Sequence, residues 1–281
     1  MQRSVVVVGF LAAMVIFVSA YPAACQTDKD DVAAVVNGMI GAIAKPDWAA
    51  VGQAISDSGF VGVMDLGEDA KCYAKNDWLA YLQGLVPAGG LGDALKVEDL
   101  KVEVHFTVAF ANANLTLPPQ SPLQRAFLDA VLFREMGKWQ VCALMVAPEE
   151  AKPDEETVKT VADRAAALAT AAKTADTDPL QKALDDDHFV LCYIDPSMEL
   201  RWSSSKAALI GMLQGVLGMV TINQSQLDIT RAQTGKTAAV VDGTWLIDIT
   251  DFGQTTSAVR AYAVKTGGEW KIVTLAGGPK G

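Results

Sequence analysis

Two stretches of the chain alternate hydrophobic and polar positions in the same way. "GKWQVCALMVAP" (137–148) and "GEWKIVTLAGGP" (268–279) each run from Gly through a charged residue and Trp to a terminal Pro. Trp139 and Trp270 stand 131 residues apart. The Leu-Gln-Gly cores of "LAYLQGL" (79–85) and "LIGMLQGV" (209–216) keep that offset. Further back, "AISDSGFVGVMD" (54–65) resembles "ALDDDHFVLCYID" (183–195), and "KPDWAAV" (45–51) parallels "DTDPLQK" (176–182). A unit of roughly 120 residues therefore occurs twice, a period too long for a solenoid and suited to a duplicated domain.

Each unit has the same order of elements. Val32, Val35, Val36, Met39, Ile40 and Ile43 recur at helical spacing, predicting a helix over 30–44 with Asp30 or Asp31 as its cap. A short helix from Asp47, a strand in "GFVGVMD" and a helix over 75–85 follow, the last ended by Pro87 and Gly89-Gly90. Residues 97–117 read as one bent strand or two, and 125–135 and 138–147 as a hairpin about Met136-Gly137. The second unit repeats this with a helix over 154–174, capped by Asp154, and strands over 225–233, 237–249, 255–265 and 269–275. Helices first and a curved antiparallel sheet last is an α+β pattern. The expected domains are 30–148 and 154–281, joined by the short charged linker 149–153 and preceded by a tail over 21–29.

Composition narrows the function classes. A net charge of −10 and a pI near 4.7 argue against nucleic acid and against an electrostatic hold on anionic lipid. The N-terminus reads as a secretory signal peptide over 1–20: Arg3, an apolar run from Val5 to Val18, then Val18-Ser19-Ala20. The protein is therefore expected to be exported, periplasmic or secreted, with membrane attachment only if Cys25 is lipidated. Cys25, Cys72, Cys142 and Cys192 show no CxxC spacing, and His105 and His188 are the only histidines, so no metal site is expected. Export permits a disulfide, and a free buried cysteine is an equally ordinary outcome. Trp139 and Trp270 occupy one repeat position and are expected in the core. His188 belongs to a solvated loop, and His105 lies on a polar strand face beside Lys101 and Glu103.

Helix, short helix, strand, helix and then a bent sheet ending in "GKWQV" resembles the nuclear-transport-factor-2-like superfamily, which includes polyketide-cyclase-like proteins and ketosteroid isomerase. The resemblance covers residues 30–281 and implies two tandem cone-shaped domains, each a strongly curved antiparallel sheet wrapped on helices. The isomerases' base follows the first strand, where Asp65 and Asp195 stand. Their protonated acid lies nine residues before the Lys of a Gly-Lys turn, where Asp129 precedes Lys138. Their first-helix Tyr is missing, with Met39 and Thr170 in its place, and Arg260 stands at the position matching Asp129. Asp129 shares a strand face with Phe127, Val131 and Phe133, so burial there would raise its pKa. Each Asp also has a structural reading, as a turn or pairing residue. Trp202 and Trp245, without counterparts in the first unit, could line a pocket in the second.

The expected function is a non-catalytic binding protein without a cofactor, with Met39, Asp195, Trp202, Trp245 and Arg260 as candidate ligand contacts. Its partner would be a small apolar molecule or a protein. The alternative is a cofactor-independent isomerase or lyase with Asp65 as base and Asp129 as neutral acid. The two units are expected to pack as an intramolecular pseudo-dimer. Asp129 and Arg260 then either meet across its axis or point inward into separate cavities, and the isomerase-like placement favours the inward arrangement.

Overall fold

The computed structural model of the protein describes residues 25–65, 69–119, 121, 124–148, 155–195, 200–217, 219–251 and 253–280; for 25–26, 193–195, 200–204 and 216 it describes the backbone alone. The expected signal peptide, Asp154 and the linker 149–153 lie outside these residues. The first unit contains α1 (Cys25–Ala44), α2 (Trp48–Ala54), β1 (Val61–Met64), β2 (Lys71–Tyr73), α3 (Lys75–Leu85), β3 (Lys96–His105), β4 (Val108–Thr116), β5 (Arg125–Glu135) and β6 (Lys138–Pro148). The second contains α4 (Glu155–Thr174), α5 (Asp178–Ala183), β7 (Val190–Asp195), β8 (Leu200–Ser204), α6 (Lys206–Leu217), β9 (Ile222–Thr234), β10 (Ala238–Ile249), β11 (Gly253–Thr266) and β12 (Glu269–Pro279).

The α+β class and the duplication hold. The sheets have orders β2-β1-β6-β5-β4-β3 and β8-β7-β12-β11-β10-β9. Neighbours run antiparallel except β1 with β6 and β7 with β12, which are parallel. The repeat extends to its irregularities. A β-bulge falls between Val131 and Leu132 in one unit and between Tyr262 and Ala263 in the other. Lys75 at the start of α3 reaches the carbonyl of Ile55 and the carboxylate of Asp57; Lys206 at the start of α6 reaches Leu184 and Asp186.

One expectation is corrected, and the structure adds detail to others. Helix α1 begins at Cys25, so Asp30 and Asp31 lie within it and the proposed tail is partly helical. Asp28 occupies its first turn instead, where an acid suits the helix's positive end, and pairs with Arg134 at 3.1 Å. Strands β2 and β8 were not anticipated, because three to five residues are too few to show a period. Of the two readings of residues 97–117, the two-strand one holds, with the turn at Phe106, whose φ is 63°.

The inner strands of each sheet are buried on both faces. One face of the first sheet packs on its helices through Met39, Trp78, Leu128, Trp139 and Leu144. The second unit does the same through Leu180, Leu209, Trp270 and Leu275. Trp139 and Trp270 thus fill equivalent core positions, as their repeat spacing predicts. The opposite faces meet in a third core, where Val61, Phe127, Val131 and Met145 pack against Val240, Val264 and Val273. Burying each such side chain contributes roughly 1.5–3 kcal/mol, so this seam holds the two units together.

Candidate functional site

The seam contains a cluster of charges amid its apolar side chains. Asp129 lies on β5 between Phe127 and Val131 and is fully buried. Its Oδ1 accepts from Arg260 Nη1 at 2.9 Å and from the Tyr262 hydroxyl at 2.8 Å, and its Oδ2 accepts from Arg231 Nη1 at 3.1 Å. Arg260, on β11, is 1% exposed and grips both oxygens of Asp242 on β10 through Nε and Nη2. Its guanidinium also lies over the Phe110 ring, 4.5 Å from the centroid. Arg231, on β9, donates to Asp242 at 2.8 Å and to Gln233 at 2.8 Å. Two carboxylates thus neutralise two guanidiniums.

Asp129 and Arg260 are repeat-related, so their contact marks the pseudo-two-fold axis. Identical residues there would set two like charges against each other. With Asp in one unit and Arg in the other, that place carries an ion pair. Burial pushes the Asp129 carboxyl above the ordinary carboxylate range, and Arg260 pulls against it. Burial also acts to raise Asp242, but Arg260 and Arg231 bring it below the ordinary value. Burial opposes the Arg260 charge, and Asp129 and Asp242 more than offset it, raising its pKa. All three Asp129 partners are donors, so the site is built for the ionised carboxylate.

This geometry overturns the inward placement of Asp129 and Arg260, and the acid–base pair built on it. Asp129 touches the second unit, not a cavity of the first. Asp65 follows β1 on the same face as Val61 and Val63 and is also fully buried. Its Oδ2 accepts the backbone N–H groups of Thr237, at 2.9 Å, and Ala238, at 3.1 Å, at the start of β10. It joins the two units. Met39 belongs to the helix-side core on the opposite face of the sheet, so it does not share a pocket with either Asp. Arg260 lines the seam instead of a pocket of its own unit. Trp245 is half-buried in the helix-side packing of the second unit, with its ring N–H donated to Ser225 at 2.9 Å. Asp195 and Trp202 fall on the backbones of β7 and β8, and their side chains lie outside the described residues. His188 is exposed on its loop beside Asp185. His105 does share a strand face with Lys101 and Glu103, but its end of that face turns into the seam, 5.3 Å from the Phe110 ring.

A groove of about 510 Å³ opens beside the charge cluster. Asn112 and Asn114 of β4, Asp99 and Lys101 of β3, and Arg231 and Gln233 of β9 supply its polar groups. In the β3–β4 ladder, Glu98 pairs with Asn114 and Lys101 with Asn112, so Asp99 and Leu100 oppose Ala113 alone. Asp99 takes the positive φ of 54° that this bulge requires. A second cleft of about 460 Å³ lies between the end of α1 and the turn at Gly92–Ala94. Sequence reasoning missed Arg231, Asp242 and Tyr262. Asp242 in "AAVVDGTWLI" carries the signal that singled out Asp129, a carboxyl inside an apolar strand.

Among the described residues, no group of three or more His, Cys, Asp or Glu side chains is placed to hold a metal ion. Nor is any helix among them long and apolar enough to cross a membrane. No family model and no curated protein matches the sequence. Among solved structures, the chain is similar to an NTF2-like protein of unknown function from Pseudomonas putida KT2440, at 16% identity and a TM-score of 0.37, covering 45% of this chain and 91% of the other. It is also similar to an NTF2-like protein of unknown function from Shewanella baltica OS155, at 13% identity and a TM-score of 0.38, covering 46% and 98%. A third is a protein of unknown function with a cystatin-like fold from Nostoc punctiforme PCC 73102, at 11% identity and a TM-score of 0.37, covering 46% and 96%. Each match spans nearly the whole of the other protein and under half of this chain, about the length of one unit.

Proposed function

We propose that the protein is an exported, non-catalytic binding module that takes a polar segment of a protein partner into the groove at the seam. The groove's lining carries this reading. The amides of Asn112, Asn114 and Gln233 offer both donors and acceptors, as a peptide backbone requires, while Lys101 and Asp99 supply both signs of charge. Arg231 is held in place by Asp129, Asp242 and Gln233, so little ordering is left to be done on binding. β3 ends its sheet, which places an edge strand along the groove. A small apolar molecule, the other partner anticipated, would leave these polar groups unsatisfied. The engagement of Asp65 and Asp129 within the seam supports a non-catalytic role. Export rests on the pattern of residues 1–20.

The test is a displayed-peptide library selected on the purified protein, followed by titration of the best peptide. Lys101→Glu and the Asn112→Ala/Asn114→Ala pair should each weaken binding by about tenfold or more, the loss of one or two good polar contacts. Peptides that bind both variants unchanged, or native mass spectrometry that finds a retained apolar molecule, would sink the reading.

A further inference from the structure

The seam core holds two thiols that face each other. Cys142 belongs to β6 of the first unit and Cys192 to β7 of the second, and their Sγ atoms are 2.9 Å apart. Both are buried, at 0% and 4% exposure. The cause of this meeting is visible in the ladders. Val131 pairs with Ala143 and Leu132 with Val141, so Cys142 is the extra residue of the bulge. The bulge turns both Cys142 and Ala143 toward the seam. In the second unit the same bulge leaves Val273 as the extra residue. The residue that matches Cys192 is Val63, through the shared pairing of β1 with β6 and β7 with β12. Val63 and Val273 lie in the same core. One of two matching places in the seam therefore carries thiols where the other carries valines.

A cysteine can fill the space of a valine as a small apolar group. That role does not require two sulfurs to face one another from different units. A disulfide bond is about 2.05 Å long, so closing the gap by roughly 1 Å would reach it. We propose that Cys142 and Cys192 are a cross-linking site, forming one disulfide that joins the first unit to the second.

The reaction breaks two S–H bonds and makes one S–S bond. Two protons and two electrons leave the pair. The oxidant is a second disulfide, such as glutathione disulfide or that of a thiol-oxidising protein, and it ends as two thiols. Attack by one cysteine gives a mixed disulfide, which the other cysteine then resolves. Burial pushes the Cys142 thiol well above its ordinary pKa, and the neighbouring Cys192 adds to the effect. The closed seam therefore suppresses the attacking thiolate, and the bond forms before the units dock or when the seam opens. The cysteines lie 50 residues apart, and the loop they close includes the linker, α4 and α5. Cross-linking that loop stabilises the fold chiefly by restricting the unfolded chain.

The protein is denatured, reduced and refolded in a buffer of reduced and oxidised glutathione. It is then denatured again, alkylated with N-ethylmaleimide and mapped by mass spectrometry without reductant. The expected result is a linked pair of peptides carrying Cys142 and Cys192, with both residues protected from alkylation. Reduction should lower Tm by roughly 5–15 °C. The Cys142→Val/Cys192→Val double variant, which copies the valines of the matching positions, should fold and show no response to reductant. Folded, reduced protein should oxidise slowly, and faster in urea below the unfolding transition. The proposal is overturned if Cys142 and Cys192 are both recovered alkylated. It is equally overturned if they are linked to Cys25, Cys72 or glutathione instead of to each other.

Discussion

The same point on the penultimate strand carries Asp129 in the first unit and Arg260 in the second. Around it the units agree in bulge, register and packing. The difference shows what fusing two copies permits. A symmetric dimer must place identical residues on its axis, so an ionised residue there meets its own kind. A duplicated chain can diverge on one side only, and here the axis becomes an ion pair sealed by Asp242, Arg231 and Tyr262. A second divergence is steric. In the first unit Gly62 of β1 backs Trp78 of α3, and a Cβ on Gly62 would lie 2.4 Å from the indole. The matching pair in the second unit is Leu191 and Leu209, both buried. One unit places its volume on the helix, and the other divides it between helix and strand.

The largest effect should come from breaking the axis on one side. Arg260→Ala leaves Asp129 and Asp242 with Arg231 as their remaining guanidinium and exposes the face of Phe110. Urea unfolding should show a loss on the order of 3–5 kcal/mol. Exchanging the pair, as Asp129→Arg with Arg260→Asp, should cost less than the sum of the single changes. Additive losses would refute a direct coupling. Asp65→Ala would strip the acceptor from two buried N–H groups, those of Thr237 and Ala238, for about 2–3 kcal/mol by the same measurement. A loss within error would mean that water replaces the carboxylate.

Gly62→Ala should cost about 1–3 kcal/mol through overpacking. Gly62→Leu with Trp78→Leu, which copies the second unit's pair, should recover most of that loss. If it is no better than Gly62→Ala alone, the two units do not solve the same packing problem.

The smallest expected effect is on pH dependence. Burial lowers the His105 pKa below 6.5; Glu103 opposes this, and Arg260 and Lys280 add to it. The folded state then binds the proton less tightly than the unfolded chain. Stability should be full above pH 6.5 and decline as pH falls from there toward the lower folded value. Asp242 acts lower on the scale, because its folded pKa lies below 3.8. Its contribution is present above that pH and is lost as pH falls through the folded value. His105→Phe should flatten the upper window and leave the lower one. A slope that survives the substitution would assign the upper window to another group.

The repeat, the hairpin at Met136-Gly137, helix α3 and the core positions of Trp139 and Trp270 were all legible in the chain. They depend on local chemistry: turn residues, helical spacing and a strand pattern written twice. The α+β class followed from the order of those elements. The start of α1 was not legible, since its first turn is supported by Asp28 pairing with Arg134 on a distant strand.

By itself, the sequence determined that there are two copies, where the hairpin at Met136-Gly137 turns and which residues are unusual for an apolar strand. Tertiary structure alone decided which way those residues face. The alternating pattern separates a strand's two faces only when one of them is wet. In β5, Ala126, Leu128, Ala130 and Leu132 cover one side, and Phe127, Val131 and Phe133 cover the other. Both sides are apolar because helices bury one and a second sheet buries the other. Nothing within the strand marks which is which. The identity of Asp129's face was set by Arg260, 131 residues away in the chain and 2.9 Å away in the fold.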